Sequence, residues 1–88
     1  HISKVFLAVG TAPTGAAIIA DVNRNGSSIF LSGNRPTIPS GSNTGYSTTI
    51  ETNTFDDGDY LTLDIDQVGS TIAGSDLTAH ITLVDTNI

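Results

Sequence analysis

Cysteine, methionine and tryptophan are absent from this 88-residue chain, Lys and Arg together number three, and the aromatics are two tyrosines and three phenylalanines. Without cysteine there are neither disulfides nor thiolate metal ligands, so stability must come from packing, from a partner chain or from a bound ion. Lys4, Arg24 and Arg35 face nine acidic residues, a formal charge of −6. Binding a phosphate backbone needs a basic face, which this balance denies, so no nucleic-acid partner is expected. No apolar run approaches the roughly 18 residues of a membrane-spanning helix, so no membrane insertion is expected either. The carboxylate excess is compatible with a bound cation, but an acidic solvent-facing surface is the plainer account of it.

What the chain has instead is 13 threonines, nine serines and nine glycines, where a helical protein carries Leu, Lys, Glu and Ala. No window shows a 3.6-residue apolar period. Period-2 alternation between Gly, Pro, Asn and Asp clusters recurs, the pattern of strands that bury one face. In YLTLDIDQV, Leu61, Leu63 and Ile65 alternate with Thr62, Asp64 and Asp66; in DLTAHITLV, Leu77, Ala79, Ile81 and Leu83 alternate with Thr78, His80 and Thr82. Near the start, Val5, Leu7 and Val9 fall on one side and Ile2, Phe6 and Ala8 on the other, a strand covered on both faces. AAIIADVN and SSIFLS flank a turn, with Ile18, Ala20 and Val22 on one face of the first arm and Ile29 and Leu31 on one face of the second. GNRPTIPSGSNTG, with Pro36 and Pro39, reads as a long connection, and GYSTTIETN as a further edge strand.

The expected fold is therefore all-β: a small antiparallel β-sandwich, jelly-roll-like, of about six to eight strands, without helix. Residues 1–88 form a single domain with room for one core. A strand-like pattern at residue 1, with neither leader nor start methionine, suggests a segment of a longer protein.

The stretch DVNRNG, residues 21 to 26, fits the first half of a calcium loop, D-x-[DN]-x-[DN]-G. The twelfth loop position, which needs a bidentate Glu, is Ser32, and no helices flank it. Asn25-Gly26 instead suits the two positive-φ positions of a tight hairpin turn, so the stretch reads as structural. In FDDGDY, Asp56, Asp57 and Asp59 surround Gly58 and could wrap a hard cation, against the plainer reading of a turn presenting Tyr60 to the core. Asp64 and Asp66 share a strand face about 7 Å apart, with no stacking tryptophan to suggest a glycosidase. His1 and His80 have no ligand spacing, and no nucleophile elbow or phosphate loop is present, so neither catalytic residues nor cofactors are expected. An exposed Tyr46 beside Asn34 and Arg35 of NRPTIP offers a shallow carbohydrate platform.

VGTAPTGAAIIADVNRNGSSIF, NRPTIPSGSNT and DGDYLTLDIDQVGSTIAGSDLTAHITL together resemble a small β-rich domain of tailed-bacteriophage structural proteins, namely fibre, appendage or surface and decoration proteins. The resemblance runs from about residue 5 to residue 84 and is densest over DGDYLTLDIDQVGSTIAGSDLT; Arg24 stands where Lys is common. It implies a non-catalytic sandwich module on the virion exterior, with other virion proteins as partners; the alternative, resting on the NRPTIP loop and Tyr46, is a carbohydrate-binding module for a bacterial surface glycan. The resemblance also implies homo-oligomerisation. A trimer is the expectation, with Ile2, Phe6 and Ala8 as the contact face.

Overall fold

The computed structural model describes residues 1–84. Seven strands, β1 (Ile2–Ala8), β2 (Ile18–Arg24), β3 (Ser27–Ser28), β4 (Thr37–Ile38), β5 (Thr44–Ser47), β6 (Leu61–Gln67) and β7 (Thr78–Leu83), form two antiparallel sheets. The only helical feature among the described residues is a 3-10 turn at Ser32–Asn34. One sheet has the order β5-β1-β7. In the other, β2 is central: β6 pairs along one edge, while β4 and β3 pair in turn along the opposite edge, at Ile18–Ile19 and Asn23–Arg24. The architecture is a small β-sandwich, as the alternation and turn signals require.

The core lies between the two central strands. Val5, Leu7 and Val9 from β1 and its exit meet Ile18, Ala20 and Val22 from β2, closed by Ile29, Phe30 and Ile38. The β2–β3 turn is made by Asn25 (φ 51°) and Gly26 (φ 89°), both left-handed as a two-residue hairpin needs.

Several expectations change. Ile2 is buried with Val5 and Leu7, because the β1–β7 register shifts between Ile2 and Lys4 and this bulge at Ser3 moves Ile2 to the inner face. The proposed contact face of Ile2, Phe6 and Ala8 therefore loses Ile2. The second hairpin arm stops after two residues: Phe30 turns inward and Leu31 is exposed. The proline-rich connection is not wholly irregular, since Thr37–Ile38 pairs with Ile18–Ile19 between its prolines. Tyr60 is also exposed, so DDGDY delivers Leu61, not Tyr60, to the core.

The largest departure concerns β6 and β7, which among the described residues pair only with β2 and β1 respectively and are edge strands of their sheets. Their alternation is as read, yet their apolar faces are only partly covered: Leu63 and Ile65 are 39% and 44% exposed and Leu83 54%, while Leu61, Ala79 and Ile81 are half-buried. A period-2 pattern tells which face is apolar. It does not tell whether anything covers that face.

Candidate functional site

The residues of DVNRNG do not converge. Asp21 is buried on the outer face of β2, where Ser28 Oγ donates to its Oδ1 at 2.6 Å and Arg35 Nη2 lies 3.5 Å from its Oδ2. Asn23 Nδ2 donates to Asp64 Oδ2 at 2.6 Å, and Asn25 Nδ2 to Asp59 Oδ1 at 2.8 Å. Three side chains that could ligate one ion in a loop are each engaged by different partners, because a strand sets neighbouring side chains on opposite faces and alternate ones over 6 Å apart.

Asp59 is the hub of the hairpin end. Its Oδ1 takes the Asn25 amide, and its Oδ2 accepts the Asp56 N–H at 2.8 Å and faces Arg24 Nε at 3.1 Å. The Asp56 N–H bond, then the Asn25 bond and, least of the three, the Arg24 charge hold the Asp59 carboxyl below the ordinary carboxylate range against the opposing effect of desolvation. Asn25 and Tyr60 also exchange backbone and side-chain bonds, Asn25 N–H to the Tyr60 carbonyl at 3.0 Å and Tyr60 N–H to Asn25 Oδ1 at 3.1 Å. With both oxygens of Asp59 engaged, Asp56, Asp57 and Asp59 do not gather around a common point, and among the described residues no cluster of three or more acidic or histidine side chains is placed to hold a metal.

Arg35 is a clamp on the outer face of the β2 sheet. Its Nη1 lies 3.1 Å from Asp66 Oδ2 while Nη2 faces Asp21, so one guanidinium bridges the central strand and β6. Its Nε is buried without a partner. Asp64 and Asp66, a pair on one face of β6, are thereby separated in role: one holds Asn23, the other Arg35.

The residues of the carbohydrate reading do converge. Asn34, Arg35 and Tyr46 line one open depression of about 340 Å³, completed by Gly33, Thr37 and Ser47 to Thr49. The Ser47 hydroxyl donates to the Asn34 carbonyl at 2.6 Å and fixes the loop against β5. Close approach of the two segments depends on Gly45, where a Cβ would fall on the Thr37 carbonyl. Sequence reading missed Lys4, whose Nζ sits 4.7 Å from the Tyr46 ring centroid and 5.5 Å from that of Phe6. The signal was the β1–β5 register: Phe6 is opposite Tyr46, which puts Lys4 on the adjoining diagonal.

A second depression is apolar. Val9, Ile18, Ile65, Val68 and Leu77 line a cleft of about 150 Å³ where the sheets part between β6 and β7.

No protein family, curated protein or solved structure matches the chain.

Proposed function

We propose that this chain is a non-enzymatic structural module of a tailed-phage virion, a fibre, tail-appendage or head-decoration domain that builds a stable exterior surface in company with other virion proteins. The observation that carries the assembly part of this reading is the incompletely closed sandwich: Leu63, Ile65, Val68 and Leu83 lie open beside two free sheet edges. Apolar strand faces left half-open in a single copy are surfaces that assembly can bury against a neighbour. The virion location rests on the VGTAPTGA, NRPTI and DGDYLTLDIDQVGST segments of the sequence. Antibodies raised against the chain should decorate intact tailed-phage particles from a culture that expresses it, at a fixed copy number per particle. Intact, stained particles without label would overturn the location.

A specific arrangement favours a second reading, contact with a bacterial surface glycan. Asn34, Arg35 and Tyr46 share one depression with several hydroxyl side chains. Sugars are held by an aromatic face together with amide and hydroxyl groups, which line this depression, while the Arg35 guanidinium is engaged by Asp21 and Asp66. Lys4 lies over the Tyr46 ring, and Tyr46 is 60% exposed. Binding on a glycan array that is lost in Tyr46→Ala supports this reading; an array without hits removes it.

A further inference from the structure

We infer that β7 is a self-association edge, along which a second copy of this chain pairs antiparallel about a two-fold axis to continue the β5-β1-β7 sheet into its counterpart. This deepens the assembly part of the reading above and does not depend on where the assembly sits.

The backbone is set for such pairing. Val84 donates its N–H to the His1 carbonyl, and Val9, on the opposite phase of β1, donates to Asn43 beyond β5. Even-numbered residues of β7 therefore face β1, and alternation turns the N–H and C=O groups of Ala79, Ile81 and Leu83 away from it, to the side on which no strand pairs with β7 among the described residues. The register shift at this end lies within β1, so the alternation along β7 is unbroken.

Edge strands are ordinarily guarded by Lys, Pro, bulges or inward-pointing charge. Thr78–Leu83 has none of these, and His80 is its only ionisable side chain, set on the outer face. The contrast with β6 decides which edge is used. Leu61–Gln67 also has a free edge, but Asp64 and Asp66 stand on one of its faces, so an antiparallel β6 pairing would set carboxylates of two copies side by side. In a chain of charge −6, β7 is where a second copy approaches with least repulsion.

A two-fold centred on Ile81 places small Ala79 opposite the partner's Leu83 and His80 opposite the partner's Thr82, whereas one centred on His80 would set the two imidazoles against each other. The inner faces then lie side by side, and the exposed Leu83 of each copy packs beside Ala79 and Ile81 of its partner subunit. A six-residue strand spans about 20 Å, and pairing along it buries less than the roughly 800 Å² per partner of a standard interface. The dimer is accordingly expected in the micromolar range.

Sedimentation of the chain between about 10 µM and 1 mM should show a reversible monomer–dimer equilibrium. Hydrogen exchange should protect the amides of Ala79, Ile81 and Leu83 as concentration rises, while those of Leu63 and Ile65 stay as in the monomer. Leu83→Lys, at a side chain already largely exposed in the single copy, should raise the dimer dissociation constant at least tenfold and leave the far-ultraviolet circular dichroism of the monomer unchanged. A monomer throughout the range, a trimer, or concentration-dependent protection on β6 instead of β7 would each overturn the β7 dimer. The exchange measurement on the native sequence decides the question even if Leu83→Lys does not fold. Particle labelling bears on the virion location separately, so the failure of one leaves the other standing.

Discussion

Asn25 donates its side-chain amide to Asp59 Oδ1 at 2.8 Å, joining the β2–β3 turn to the loop before β6 across 34 residues of sequence. The contact makes the turn part of a network and gives the hairpin end a dependence on pH. Asp59 has a lowered pKa in the folded chain, so its contribution to stability is present above the ordinary carboxylate value of about 3.9 and is lost as pH falls through its folded value. Asp59→Asn should therefore lower stability at pH 6, and the difference from the parent chain should shrink as pH falls below the ordinary carboxylate value. Urea unfolding at pH 6, 4 and 2 measures it.

The buried carboxylate of Asp21 has Arg35 and Ser28 as partners. Removing Arg35 leaves that charge under-compensated, so Arg35→Ala is expected to destabilise by about 2 kcal/mol, below the figure for a fully buried pair because Arg35 reaches solvent. Adding Asp21→Asn should recover part of the loss, which a double-mutant cycle reads directly.

Gly26 has φ 89° and open space where a Cβ would stand, so only backbone strain opposes substitution there. Gly26→Val should cost about 1–2 kcal/mol, and Gly26→Asn less than half of that, since Asn tolerates the left-handed region. Thermal melts of the two variants test the order.

Gly45 presents the opposite case, with an ordinary φ but no room. Its missing Cβ is what lets β5 approach the Thr37 carbonyl, so Gly45→Ala should force the segments apart at a cost of about 3 kcal/mol or more. Denaturant unfolding should show this loss, and Asn34 and Tyr46 should lose their common depression with it.

Calcium should leave the melting temperature of the chain unchanged, and so should EDTA, because the oxygens of Asp59 are engaged by Asn25, Asp56 and Arg24. A rise of several degrees on adding millimolar calcium would show that the loop rearranges around the ion.

The sequence by itself determined the all-β class, the Asn25-Gly26 corner, the strands β6 and β7, and the solvent-facing Tyr46, His80, Asp64 and Asp66. These are local matters: two-residue periodicity and positive-φ preference are written in adjacent residues. Only the tertiary structure decided that Ile2 belongs to the core, that Tyr60 does not, that Arg35 spans Asp21 and Asp66, and that Lys4 meets Tyr46. Each of those turns on strand register or on a bulge, and register is set by pairing between segments tens of residues apart. The openness of β6 and β7 belongs to the same class, because alternation marks a face as apolar while only the arrangement of the two sheets determines how much of that face the chain can cover.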